Sequence, residues 1–197
     1  MTRFAAMYEG KPAWDIGRPQ GAFIGLELAG PLLDVGCGTG ENALHFAARG
    51  LEVVGIDLVP FAIDRARAKA RERGLAATFQ IGDALELDRL GRRFATAIDS
   101  GVFHVFDDAE RGRYVDSLGR ALDPGGRYVM LVFNDREPMG WGGPRRVRRD
   151  EIEATFTIER GWAIRSIAEA RLETTIHPNG GLGWLATVDR LRSESEP

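Results

Sequence analysis

Short apolar runs alternate along the chain with stretches whose apolar residues recur every three or four positions. "PLLDVG" (31–36) reads as a strand, and "ENALHFAARG" (41–50) as a helix ended by Gly50. "LEVVGIDL" (51–58) is a second strand. The stretch 59–74 then reads as a helix, with Pro60 in its first turn, Ile63, Ala66 and Ala70 on one face, and Gly74 at its end. A third strand is expected over 77–85 and a fourth centred on Ala95–Asp99. The helix 107–122 is capped by Asp107 or Asp108 and lines up Tyr114, Leu118 and Leu122. "DPGG" (123–126) predicts a turn before a fifth strand at 127–135. Strands alternating with helices require crossover connections, hence a doubly wound parallel sheet covered on both faces.

Beyond Asp135 the texture changes. A Gly/Pro/Trp loop (136–144) leads to a short helix (148–156) and two late strands, 162–175 and 183–191. "IHPNGG" (176–181) is expected to link them as a hairpin turn. The first 25 residues precede the first strand and are expected to form a lid or edge helix, and "SESEP" at the other end to fray. The expected organisation is one domain: a lid segment at 1–28, a ligand-binding core at 30–135, and a C-terminal portion at 136–192.

Composition narrows the class. The chain has 197 residues, 44% hydrophobic and 28% charged, which is the balance of a globular protein rather than a disordered one. A net charge of −3 supplies no global field for nucleic acid or anionic lipid. Cys37 is the only cysteine, so no intramolecular disulfide can form; a reducing compartment, the cytoplasm, is expected. No apolar stretch approaches the roughly 20 residues of a membrane span.

The chemistry concentrates in "LLDVGCGTGENA" (32–43), with glycines at 36, 38 and 40. A phosphate loop of the G-x-x-x-x-G-K-[ST] type would need a lysine that is absent. The dinucleotide pattern G-x-G-x-x-G would need glycine where Glu41 stands, and a glutamate at a helix N-terminus would face the pyrophosphate. What remains is D-x-G-x-G-x-G, carried by Asp34, Gly36, Gly38 and Gly40. Such a loop permits close backbone approach, and acid at both ends suits a cationic, phosphate-free ligand. Cys37 in its middle reads as a small filler.

With these landmarks the chain resembles the class I S-adenosylmethionine-dependent methyltransferases over roughly residues 30–135. The resemblance implies S-adenosylmethionine as cofactor and S-adenosylhomocysteine as product. It places Asp57, followed by Leu58, at the ribose, where a carboxylate can accept from both hydroxyls. From "GDA" (82–84) it implies that Asp83 accepts from the adenine amino group while the Ala84 N–H meets a ring nitrogen. From "DSGVFH" (99–104) it implies that backbone near Ser100 holds the methionyl part. It also implies a Rossmann-like seven-stranded sheet of order 3-2-1-4-5-7-6, mostly parallel with one antiparallel strand. "AWDIGRPQ" (13–20) resembles the W-[DE]-x-G-x-P segment of small-molecule methyltransferases of the thiopurine, thiol and halide group and of actinobacterial enzymes acting on quinones or heterocycles. That segment implies Trp14 covering the cofactor and Arg18 meeting the methionyl carboxylate.

Methyl transfer from a sulfonium is an in-line displacement in which alignment and desolvation dominate. Where the acceptor must lose a proton, His104 is the candidate general base, since an imidazole ordinarily titrates near neutrality. His45, among apolar neighbours, reads as structural, and His177, in the turn, as exposed. Trp14, Phe103, Phe106, Trp141 and Trp184 are candidates to line a pocket for a flat ring. No [DN]-P-P-[YFW] motif follows the fourth strand, and no metal-ligand spacing is convincing, Asn134–Asp135 included. "RRVRR" (145–149) is followed by Asp150, Glu151 and Glu153, so a solvated helix start is expected rather than an RNA site. The expected function is methyl transfer to O, N or S of a small, aromatic or heteroaromatic molecule, with no nucleic-acid or membrane partner and the oligomeric state open. The rivals are a thiol or thiopurine S-methyltransferase, a non-catalytic cofactor-binding or interaction protein, and, more weakly, an RNA methylase.

Overall fold

The structure, a computed structural model, describes residues 3–140 and 142–192; Trp141 and the "SESEP" terminus lie outside the described residues. Seven strands form one sheet: β1 (Leu32–Val35), β2 (Val53–Asp57), β3 (Ala77–Ile81), β4 (Phe94–Ser100), β5 (Leu122–Phe133), β6 (Trp162–Thr174) and β7 (His177–Arg190). Their order is β3-β2-β1-β4-β5-β7-β6. Pairing is parallel from β3 through β5, and β7 runs antiparallel to both its neighbours. The helices are α1 (Arg3–Met7), α2 (Glu41–Ala48), α3 (Pro60–Arg73), α4 (Asp108–Ala121) and α5 (Arg149–Thr155).

The apolar runs fall on β1, β2 and β4 because those strands are covered on both faces. All four residues of β1 are buried. On one face, Leu33, Ala97, Tyr128, Met130 and Trp184 pack with Tyr114, Leu118, Ile152 and Phe156 from α4 and the α5 region. On the other, Leu32, Ile98, Val129 and Leu131 pack with Leu44, Phe46, Ile63 and Ala66 of α2 and α3. α3 carries Pro60 in its first turn and ends at Gly74, whose φ of 64° gives the left-handed cap that glycine adopts without strain. α4 begins with a reciprocal cap: the Asp107 carboxylate accepts from the Glu110 N–H at 2.8 Å, and Glu110 accepts from the Asp107 N–H at 3.2 Å.

Three boundaries differ from the sequence expectation. β3 ends at Ile81, and residues 84–90 wind into 3-10 turns, with Asp83 accepting from the Leu85 N–H at 2.9 Å. The "DPGG" segment does not precede β5: Leu122 already pairs with Phe94, and Arg127 with Thr96, so residues 123–126 loop out between paired positions. The expected hairpin link at 176–181 lies almost wholly in β7, because Thr174 pairs with His177 and leaves only Thr175 and Ile176 to turn. Turn-forming residues persuade a chain to bend only where cross-strand pairing does not outweigh them.

Candidate active site

The glycine loop leaves β1 and enters α2 with Gly36, Gly38 and Gly40 at φ 63°, 53° and 88°. Backbone conformation alone therefore calls for glycine at all three. Packing adds a second constraint at the ends: a Cβ on Gly36 would lie 2.2 Å from Val102 Cγ2, and one on Gly40 2.9 Å from Ala66 Cβ. Asp57, at the end of β2, faces this loop. One carboxylate oxygen accepts from the Gly38 N–H at 2.9 Å and the other from the Val59 N–H at 2.9 Å. Burial raises its pKa while those N–H bonds oppose the rise. Each oxygen keeps a lone pair for a further donor. Leu58, 40% exposed, follows directly, and the Gly82 N–H bonds the Asp57 carbonyl, so Asp83 and the buried Ala84 stand beside the same strand end. Ser100 is half-buried at the end of β4. The carboxyl ends of β1, β2, β3 and β4 thus bring the expected cofactor residues to one rim of the sheet, where open α/β sheets bind ligands.

The acids flanking the loop do other work than their positions imply. Asp34 is buried and its Oδ2 accepts from the Ala43 N–H at 3.0 Å, tying β1 to the first turn of α2; burial pushes its pKa up to about 8. Glu41 turns toward α3. Burial would raise its pKa, but hydrogen bonds from Arg73 (2.8 and 2.9 Å) and an ion pair with Lys69 (2.8 Å) hold it below the ordinary range. The expectation that acid at both ends of the loop meets a cationic ligand is corrected. Glu41 is neutralised within the fold, so its charge neither favours nor opposes a pyrophosphate at the loop. Cys37 is buried and its thiol pKa is pushed up, as a filler's would be.

Residues ahead of β1 lie across the loop. Tyr8 places its hydroxyl 3.2 Å from where a Cβ on Gly38 would stand, and it accepts from Trp14 Nε1 at 3.2 Å. Trp14 meets Tyr8 and Phe4 edge-on, and Tyr8 packs on Val59 and Ala62. Thr39 of the loop donates to Asp15 at 3.1 Å. Arg18, expected at a methionyl carboxylate, instead forms a two-pronged pair with Glu173 at 2.7 and 3.0 Å.

On the acceptor side, Asp99 organises the turn after β4. It accepts from the Val102 and Phe103 N–H groups at 2.6 and 2.9 Å and from the Tyr114 and Tyr128 hydroxyls at 3.0 and 2.8 Å. Burial raises its pKa to about 6 despite these bonds. His104 is buried and stacks on Phe133 at 5.5 Å, and its Nδ1 accepts from the Phe133 N–H at 3.3 Å. That bond puts the ring proton on Nε2. Burial, aided by Arg146, lowers the imidazole pKa to about 3. A neutral ring with its free nitrogen already protonated is a donor, not a base.

The expected pocket lining is also revised. Phe103 is fully buried, stacked on Phe156 at 5.9 Å with the Arg111 guanidinium over its ring at 4.6 Å. Trp184 is buried with its indole N–H bonded to the Val147 carbonyl at 3.1 Å. Both are core, whereas Phe106, half-buried against Tyr114, and Trp14, 37% exposed, keep part of their surface. His177 is not exposed but half-buried, paired with Glu137 at 3.1 Å, because it opens a paired strand rather than a free turn. The "RRVRR" arginines have partners within the chain: at the exposed surface Arg145 pairs with Asp108, Arg148 with Asp150 and Arg149 with Glu153, while buried Arg146 bonds backbone carbonyls of 137–144. Among the described residues no three His, Cys, Asp or Glu side chains are grouped as metal donors. Tyr8, Glu173 and the four-bond role of Asp99 were not singled out from sequence; each has at least one partner 15 or more residues away.

A family model described as a methyltransferase domain matches residues 32–126. The 2-heptyl-1-hydroxyquinolin-4(1H)-one methyltransferase of Mycobacteroides abscessus is 37% identical over 168 residues, covering 82% of this chain and 73% of its own length. A probable thiol methyltransferase of Arabidopsis thaliana is 27% identical, covering 88% of this chain and 77% of its own length. A solved structure from work on the conversion of a disulfide bond into a thioacetal group during echinomycin biosynthesis superposes with a TM-score of 0.86 at 35% identity, covering 98% of this chain and 93% of that one. The chain belongs to the S-adenosylmethionine-dependent methyltransferases. It is similar to members acting on small molecules.

Proposed function

We propose that this chain transfers a methyl group from S-adenosylmethionine to O, N or S of a small aromatic or heteroaromatic molecule. The observation that carries the reading is the shared rim at which Asp57 faces Gly38 across 2.9 Å, with Asp83 and Ala84 one strand further on. The cofactor supplies an electrophilic methyl group whose sulfonium charge disperses as it leaves. Asp57 is assigned to the ribose hydroxyls, which its spare lone pairs can accept. Leu58 offers an apolar face to the adenine, Asp83 accepts from its amino group, and the Ala84 N–H donates to a ring nitrogen. The glycine loop lets backbone reach the methionyl part, with Ser100 on its other side. Trp14 and Tyr8 cover the loop and exclude water from an in-line displacement.

With His104 neutral and its Nδ1 occupied, the site favours acceptors that ionise unaided or need no deprotonation. An N-hydroxylated quinolone, the class named for the Mycobacteroides abscessus relative, is such an acceptor. A thiol is the second reading, supported by the sulfur chemistry named for the thioacetal-forming neighbour and by the thiol methyltransferase relative. The test has two parts. Asp57→Ala is expected to weaken S-adenosylhomocysteine binding at least tenfold (~1.4 kcal/mol) by calorimetry, and unchanged affinity removes the ribose assignment. Labelled cofactor with 1-hydroxyquinolin-4-ones, phenols and thiols then separates the acceptors, and transfer to none of them favours a non-catalytic binding role.

A further inference from the structure

The segment 13–21 crosses the glycine loop as a strap. Thr39 donates to Asp15, and Asn42 in the first turn of α2 accepts from the Gln20 N–H at 2.9 Å. Those contacts hold one side of the strap. Its other side is held by the end of β6, and there almost everything converges on one residue. Glu173 accepts from both terminal nitrogens of Arg18 at 2.7 and 3.0 Å and from the Gly21 N–H at 2.9 Å. Its own backbone makes a reciprocal pair with the Gln20 side-chain amide, 2.9 Å in each direction. Two residues on, the Thr175 N–H donates to the Ala13 carbonyl at 2.7 Å.

The anchor itself is fixed. Only Thr175 and Ile176 separate β6 from β7. Beyond them His177 pairs with buried Glu137, which also accepts from the Leu182 N–H at 2.6 Å. The hairpin tip is therefore clamped to the segment following β5, and a strap bound to Glu173 cannot carry the tip away with it. Charge-assisted, two-pronged Arg–carboxylate bonds are the strong and directional kind.

We propose that Glu173 is a positioning residue for cofactor binding: it touches neither donor nor acceptor, yet holds the strap that closes Tyr8 and Trp14 over the glycine loop. The proposal rests on the cofactor site assigned above. Arg18 then acts through Glu173 rather than on a methionyl carboxylate.

The test pairs S-adenosylhomocysteine calorimetry with hydrogen exchange across residues 9–21. Glu173→Ala is expected to weaken binding about tenfold and to speed exchange at the Gln20 and Gly21 amides, with exchange in β1 and β4 and the Tm unchanged. Arg18→Gln, which removes the pair from its exposed side, is expected to act in the same direction. Glu173→Gln keeps an acceptor for the Gly21 N–H and is expected to fall between. Glu169→Gln on the same strand is the neutral control. Wild-type affinity in both Glu173→Ala and Arg18→Gln, with or without faster strap exchange, overturns the proposal. Absence of binding in the unsubstituted chain is a different result, which removes the cofactor-site assignment and this proposal with it.

Discussion

Asp99 and His104 lie five residues apart, and their surroundings move their proton affinities in opposite directions. Asp99 loses water but gains four donors, so its carboxyl titrates at about 6 while it fixes the turn after β4. His104 loses water and gains an N–H at the one nitrogen a base would need, which leaves it at about 3. The expected result is a His104 ring that stays neutral, protonated at Nε2, down to about pH 4, as read by nitrogen-15 shifts of the imidazoles. A midpoint above 6 would restore it as a candidate base. Its residue type pointed to proton transfer; only its packing against Phe133 decided otherwise.

The elements of the parallel core were legible because each carries a local signal that agrees with its neighbours. α4 is the clearest case, since the reciprocal Asp107–Glu110 cap satisfies backbone donors that would otherwise face solvent at its start. Replacing Asp107 with alanine removes that acceptor and is expected to cost about 1 kcal/mol, or roughly 2–4 °C in Tm, without altering cofactor affinity. Thermal melts followed by circular dichroism would show it, and an unchanged Tm would mean that water replaces the cap at no cost. The β6–β7 hairpin was less legible. Its Pro, Asn and Gly residues signal a turn locally, yet the pairing of β7 with β5 and β6 draws 177–181 into strand.

At the scale of the whole molecule, burial of acids under the sheet rim links stability to pH. Asp34 has a folded pKa near 8 against about 4 unfolded, so the stability it contributes is full below about pH 4 and is lost as pH rises toward 8. Asp99 behaves alike, ending near 6. His104 has its pKa depressed, so its contribution is present above about 6.5 and lost as pH falls toward 3. The acids and the histidine oppose each other below 6.5, and Asp34 dominates above. The cofactor-free protein is expected to lose roughly 1 kcal/mol per pH unit between 7 and 8 in urea melts. Asp34→Asn, which keeps an acceptor for the Ala43 N–H, is expected to flatten that slope. A slope that survives the substitution would assign it elsewhere.

Sequence by itself determined the alternation of strands and helices, the glycine loop and the position of Asp57 at the end of its strand. Those features are local: a period of two or of 3.6, a cap, a left-handed glycine, or an acid at a strand's end. Resemblance added the strand order, which no spacing could supply. Tertiary structure alone decided what the charged and aromatic side chains do. Glu41 reaches Arg73 32 residues away, Arg18 reaches Glu173 155 away, and Trp184 spends its indole on Val147. A side chain's type states which bonds it can make. Which of them it makes depends on burial and on partners brought from distant elements, and so on the folded sheet.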